Sequence, residues 1–173
     1  MDSLTNRIIR AGKLDHELYR EVKEDPEALG PALNVVLLSS LAAGIGSLQL
    51  GIIGFVTGTA AAFAGWLVWT LIIYLVGSKI LPEARTRTSL PQLLRVAGFA
   101  SAPGILRLLA GIPYLGGLVI FAASLWMLTA MIIATRQALD YESAWRAAGV
   151  CLLGWILQGM AIAPFLLMMS AKM

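Results

Sequence analysis

The segment that decides the fold is residues 90–155, which reads LPQLLRVAGFASAPGILRLLAGIPYLGGLVIFAASLWMLTAMIIATRQALDYESAWRAAGVCLLGW. It begins with an apolar stretch that Pro103 and Arg107 interrupt, and a corner rich in glycine and proline follows. A long uncharged stretch, a short charged loop and the start of another apolar stretch complete it. Because a membrane-spanning helix needs about 20 mostly apolar residues, this alternation predicts an all-α, polytopic membrane protein.

The composition of the whole chain supports the same interpretation. Of the 173 residues, 58% are hydrophobic and 13% are charged, whereas soluble domains carry about 25% charged residues. A water-soluble fold of this size could not cover so much apolar surface, so lipid must cover it. The bases lie in clusters outside the apolar stretches, which is typical of membrane orientation and not of nucleic-acid binding. We therefore expect the lipid bilayer as a partner, and no nucleic acid.

Residues 1–27 predict a cytosolic, amphipathic segment. Within LTNRIIRAGKLDHELYREVKE, residues 4–24, apolar side chains recur four positions apart and five bases lie among them. Asp15 can cap a second helical piece, and Pro26 should end that piece near Asp25. We expect a short amphipathic helix on an anionic membrane surface, with a loosely ordered tail as the alternative.

Residues 28–173 predict a domain of five transmembrane helices. The first two follow from residues 28–78, which carry no charge and are long enough for two helices. We place them at residues 32–53 and 57–81, joined by a tight turn at residues 54–58.

The third helix, residues 90–109, is the weakest of the predicted spans. A capping-box sequence that starts at Ser89 places its beginning. Pro103 interrupts the helix, Arg95 can snorkel at its start, and Arg107 lies at its far end or inside it. An arginine at the centre of a span costs about 2.5–3.5 kcal/mol on insertion scales, so this helix is expected to depend on its neighbours.

The fourth and fifth helices are predicted at residues 117–138 and 144–168, on either side of a charged loop. Two pairs of opposite charge lie four residues apart in this loop and would pair if it were helical: Arg136 with Asp140, and Glu142 with Arg146.

The distribution of bases predicts the orientation. All but two of the 13 lysines and arginines lie before residue 28, in residues 79–95 or in residues 136–146. The exceptions are Arg107 and Lys172. Five spans with the N-terminus in the cytoplasm and the C-terminus outside put the other bases on the cytoplasmic side. We expect the cell membrane as the location.

The sequence offers little for catalysis. Cys151 and His16 are the only residues of their types, so neither a metal cluster nor a Ser-His-Asp set can be assembled. Beyond residue 27 the acids are Glu83, Asp140 and Glu142, all in predicted loops, which disfavours a proton relay inside the membrane. We expect no enzyme activity, no cofactor and no metal.

Five residues are candidate contacts for lipid or for a partner: Arg95, Arg107, Arg136, Asp140 and Arg146. Arg107 is the most interesting, as an anchor for an anionic headgroup or another subunit. The alternative is that it snorkels to the interface or binds carbonyls of its own helix. The other arginines are expected to determine orientation. Asp140 can cap the fifth helix or dock a partner.

Several motifs resemble one known family. Gly30 and Pro31 precede the first helix, and GFASAP, residues 98–103, keeps a glycine, an aromatic residue and a proline in the third. The stretches AGFASAPGILRLL, IPYLGGLV and RQALDY are similar to short prokaryote-type members of the YIP domain family of Ypt/Rab-interacting membrane proteins. The resemblance implies a cytosolic N-terminus, five membrane helices and a very short C-terminal end on the far side.

The resemblance also bounds the function. It implies a non-enzymatic membrane protein that organises the bilayer or binds partner proteins through its cytosolic face. The N-terminal region of about thirty residues is shorter than in eukaryotic members, so we do not expect binding of a Rab-type GTPase. Other membrane proteins or further copies of the chain are the expected partners.

The alternative function is a small oligomeric channel, transporter or lipid translocator. It requires the polar residues within the spans to converge on one lumen: Asn34, Gln49, Thr70 and Gln158.

Overall fold

The computed structural model describes residues 3–48, 51–112 and 114–170, and only the backbone of residues 111 and 161–170. Over this part the chain is all-α, as predicted. Its seven α-helices are α1 (Leu4–Gly12), α2 (His16–Glu24), α3 (Leu29–Ile45), α4 (Gly51–Leu75), α5 (Leu90–Phe99), α6 (Gly116–Ala138) and α7 (Ala144–Ser170). A 3-10 helix, Pro26–Ala28, leads into α3, a π-helix, Val76–Ile80, ends α4, and a second 3-10 helix, Ala102–Gly111, follows α5.

Four segments of the described chain are long and apolar enough to cross a membrane: Pro26–Ile45, Gly51–Ile80, Leu90–Ala110 and Gly116–Ala138. They correspond to the first four predicted spans. Helix α7 contains 27 residues and occupies the place of the predicted fifth span. The side chains at its end lie outside the described residues, so its crossing of the membrane stays a prediction.

The predicted turn between the first two spans is wrong. Residues 54–58 are helical and belong to α4, while α3 ends at Ile45 and α4 begins at Gly51. Gly51 has φ +73°, a left-handed conformation that glycine adopts without steric cost. Further along α4, Gly58 lies against Ser47, where an added Cβ would approach the serine Oγ to 2.6 Å. The small residues that suggested a turn therefore allow two helices to approach closely.

The third span is the centre of the bundle. Its helix α5 and the 3-10 helix after it contact α1, α2, α3, α4 and α6. Residues 95–104 are all buried. The predicted start is confirmed, because Ser89 and Gln92 form a complete capping box. Pro103 lies in the first turn of the 3-10 helix, where the α-helix has ended. Since neighbouring helices cover residues 95–104, this part of the span does not need the strongly apolar surface of a lipid-facing helix.

The N-terminal segment packs on the bundle, and its place on a membrane surface stays a prediction. It contains two helices, and the side chains of Ser3 and Asp15 accept hydrogen bonds from the first-turn amides of α1 and α2. Leu18, Tyr19 and Val22 are completely buried, because α2 packs against α5 and α6. The predicted amphipathic pattern is correct, but its apolar side covers protein. We call α1 and α2 together the N-terminal hairpin.

Gly98 provides a test of this packing. A Cβ at this position would lie 2.8 Å from the Cβ and 3.0 Å from the carbonyl oxygen of Ala32, so α3 and α5 would have to separate. We expect Gly98→Ala to destabilise the protein by about 1–3 kcal/mol and to lower the Tm measured in detergent micelles. The matched control is Gly149→Ala in α7, where a Cβ meets nothing within 4 Å. Equal Tm changes for the two variants would contradict this account.

Candidate functional site

Three segments of the chain meet at one end of the bundle, which we call the charged end. They are α2, residues 81–89 before α5, and residues 139–143 between α6 and α7. They come together because α5 begins and α6 ends at this level. The hexapeptide RQALDY, residues 136–141, lies among them, and the side chains of Gln137, Asp140 and Tyr141 bind other segments.

Asp140 connects the turn after α6 to the N-terminal hairpin. Its carboxylate lies 2.6 Å from Nζ of Lys23, and Lys23 is only 6% exposed. Arg136 does not pair with Asp140, because the chain leaves the helical path that this pairing required at Asp140, whose φ is +55°. A buried ammonium requires a counter-ion, so this ion pair stabilises the docked position of α2.

Arg136 stabilises the same turn after α6 through hydrogen bonds to its backbone. Its Nε donates to the carbonyl oxygen of Tyr141 at 3.3 Å, and its Nη2 donates to that of Glu142 at 3.0 Å. These carbonyls follow the end of α6, where no helical amide is left to bind them. Arg136 is therefore engaged in closing the turn.

Arg95 lies below α2 and is buried, so it does not snorkel to the interface. Its guanidinium donates to the carbonyl oxygens of Val22 and Lys23. These are carbonyls of the last turn of α2, which lack helical partners and carry the negative end of the helix dipole. Arg95 thus caps a helix 72 residues away in the sequence, which no local spacing could indicate.

Tyr141 is a structural residue that sequence reasoning missed. Its single hydroxyl hydrogen is shared between the carbonyl oxygen of Gly77, at 2.8 Å, and that of Leu81, at 2.9 Å, in and just after the π-helix that ends α4. Burial raises the pKa of Tyr141, so the hydroxyl keeps its proton and remains a donor. The only signal in the sequence was the place of Tyr141 in the RQALDY motif.

Four charged side chains lie at the outer edge of the charged end, where Arg85, Glu142 and Arg146 are exposed and Glu83 is half-buried. Arg146 pairs with Glu83 and Arg85 with Glu142, each at 3.5 Å. Glu142 does not pair with Arg146, because Glu142 precedes α7, outside the helix that this pairing required, and faces residues 81–89. These four side chains and Ser143 line a surface cavity of about 380 Å³.

The N-terminal hairpin neutralises most of its own charge. Arg7 lies 2.9 Å from Asp25, and Arg10 lies 2.7 Å from Asp15 and 2.8 Å from Glu21. Hydrogen bonds from these arginines hold the pKa values of Asp15 and Asp25 below their usual range. The bases that suggested attraction to an anionic membrane are thus mainly engaged with acids of the same hairpin.

Arg107 is separate from the other four candidate residues. It lies near the opposite end of the third span, and its Nη2 donates to Ser124 Oγ at 3.3 Å.

Within the described residues, no group of three or more His, Cys, Asp or Glu side chains could hold a metal ion. The single thiol, Cys151, is buried and contacts Thr135 Oγ1 at 3.4 Å, as a small packing residue does.

The three described polar residues among those proposed for a lumen have separate surroundings. Asn34 is exposed on α3. Thr70 is buried and donates to the carbonyl oxygen of Trp66 in its own helix. Gln158 donates to the carbonyl oxygen of Gly65 and so joins α7 to α4. Gln49 lies outside the described residues, as does Lys172, one of the two bases expected on the outer side.

Comparison with known proteins gives one match. Residues 16–166 match the Yip1 domain, so the match extends from α2 into α7 and contains all five candidate residues. No curated protein and no solved structure matches the chain. The resemblance found in the sequence motifs is confirmed by this match.

The role of Arg95 can be tested through the protection of the N-terminal hairpin. We expect Arg95→Gln to weaken the docking of α2, because hydrogen bonds from charged donors contribute about 1.5–3 kcal/mol. Hydrogen–deuterium exchange of residues 4–24 should become at least about tenfold faster, while the spans keep their protection. Arg87→Gln, in the exposed part of residues 81–89, is the control and should leave exchange unchanged. Unchanged exchange in Arg95→Gln would show that α2 docks without this cap.

Proposed function

The chain belongs to the Yip1 domain family, and we propose that it is a non-enzymatic membrane protein whose charged end binds partner proteins. By holding these partners at the bilayer it organises the surrounding membrane. Members of the family are generally non-enzymatic membrane proteins, which supports the first part of this proposal. The structure of the charged end supports the second.

The observation that carries the proposal is a contrast between two parts of the charged end. We call the buried side chains that join its segments the base, and the exposed charged side chains at its outer edge the rim. At the base, Arg95, Lys23 and Tyr141 join three segments that are distant in the sequence. At the rim, the side chains of Arg85 and Glu142 are 79% and 72% exposed. Binding residues are often displayed in this way, on loops that a rigid scaffold positions. Exposed pairs contribute little to stability, so the rim charges are available to a partner.

The candidate residues divide between these two roles. Arg95, Arg136 and Asp140 position the segments through their contacts inside the chain. Arg146 lies at the rim, where it pairs with Glu83 and contacts the ring of Tyr141. We therefore assign partner contact to Arg146 and to Arg85, which the sequence had not singled out.

We further propose that α7 is a fifth span and that the charged end faces the cytoplasm. The asymmetry of bases supports this orientation, since the described lysines and arginines apart from Arg107 lie on the N-terminal hairpin or toward the charged end. The length of α7, 27 residues, is sufficient to cross the bilayer. The C-terminus then lies on the side opposite the N-terminus.

The topology can be measured by cysteine labelling of intact cells with an impermeant maleimide. In a Cys151→Ser background, we expect Tyr114→Cys and Lys172→Cys to be labelled from outside, and Arg85→Cys and Ser143→Cys only after permeabilisation. Total labelling after permeabilisation is the control for reactivity. External labelling at Ser143→Cys, or none at Lys172→Cys, would contradict five spans in this orientation.

Partner binding can be tested by site-specific photo-crosslinking in native membranes. A photo-reactive amino acid replacing Ala84 or Ser143, both exposed at the charged end, should give discrete protein adducts. We expect Arg85→Glu to abolish most of these adducts because it reverses a rim charge, while Arg85→Lys should keep them. The matched control places the same reagent at Tyr114, which is fully exposed at the opposite end. Adducts from position 114 alone, or lipid adducts alone, would reject the proposal.

A further inference from the structure

Arg107 and the cavity beside it lie at the end of the third span that is opposite the charged end. Arg107 lies on the 3-10 helix Ala102–Gly111, which packs between α3 and α6. Its side chain borders a cavity of about 180 Å³. The other residues that line the cavity are small or apolar: Ala42, Ala43, Gly46, Ala110 and Ile120.

The guanidinium of Arg107 is incompletely satisfied. Arginine has five N–H donors, and the structure records one hydrogen bond, from Nη2 to Ser124 Oγ at 3.3 Å. The Nε of Arg107 is buried and has no partner among the described residues. No described acidic residue pairs with this arginine, whereas Arg95 in the same span binds two carbonyl oxygens. A charge left without a partner in this environment is costly.

The cavity has the shape and chemistry to receive an anion. A single water requires only about 10–15 Å³, so a space of about 180 Å³ accommodates a larger group. Ala42 on α3 and Gly46, which follows the helix, are small and leave room beside Arg107. A guanidinium can bind two oxygens of a phosphate with good geometry.

We propose that this cavity binds the phosphate of an anionic phospholipid from the leaflet opposite the charged end. The phosphate accepts hydrogen bonds from the guanidinium of Arg107, and the apolar lining contacts the glycerol and the start of an acyl chain. The lining contains no described acid to accept a choline or an amine, so the site favours a headgroup with net negative charge. This binding does not depend on a partner at the charged end.

The test uses the full-length protein in mild detergent and native mass spectrometry with phosphatidylglycerol or phosphatidylcholine of the same acyl chains. The wild type should retain one phosphatidylglycerol at least about tenfold more tightly than phosphatidylcholine. Arg107→Gln should lose this preference, because about tenfold is what one charge-assisted hydrogen bond contributes at its lower limit. Ala43→Leu keeps the charge but fills the cavity, and it should weaken binding as well. Arg87→Gln is the control for an arginine outside the cavity.

Competition with excess inorganic phosphate distinguishes a site for free phosphate from a site for the phosphate of a phospholipid. Displacement of the lipid would show that a bare phosphate is a sufficient ligand, and persistence of the lipid would assign the site to phospholipid. Equal retention of the two lipids by the wild type would overturn the proposal, as would unchanged phosphatidylglycerol binding in Arg107→Gln. A change in oligomeric mass with lipid binding unaltered would instead assign Arg107 to a contact between copies. If Arg107→Gln does not fold, Ala43→Leu decides alone, and wild-type binding by that variant rejects the site.

Discussion

The arrangement of the charged end depends on Arg95 and the carboxyl end of α2. A helix end buried inside a protein leaves carbonyl groups without partners, and a buried guanidinium needs acceptors for its N–H groups. Arg95 meets both needs, because its N–H groups donate to the carbonyl oxygens of Val22 and Lys23. This contact fixes the N-terminal hairpin on the third span, and the ion pair between Lys23 and Asp140 then brings in the turn after α6.

The central position of the third span explains its unusual composition. A helix that faces lipid must be apolar on its whole exposed surface, because no water is present to bind polar groups. The third span instead faces other helices along residues 95–104, which are buried. It can therefore contain a proline, a change from α-helix to 3-10 helix, and two arginines. The span that hydropathy identifies least clearly is thus the one around which the others pack.

The two arginines of this span differ in how their charge is stabilised within the membrane domain. Arg95, near the charged end, is enclosed by protein and bonded to backbone carbonyls. Arg107, near the opposite end, has a single recorded hydrogen bond and borders a cavity. One arginine serves the assembly of the domain, whereas the other has donors left for a group from outside the chain. The same residue type therefore acquires a structural or a binding role from its surroundings.

The sequence by itself determined the features that depend on local physical chemistry. Lack of charge over about 20 residues identified the first, second and fourth candidate spans, and the capping box at Ser89 placed the start of the third. The motifs of the third and fourth spans indicated the family. The tertiary structure decided where charges pair, because Lys23 and Asp140 are 117 residues apart. It also decided that residues 54–58 continue a helix, since a glycine-rich stretch forms a turn or a close helix contact depending on what packs against it.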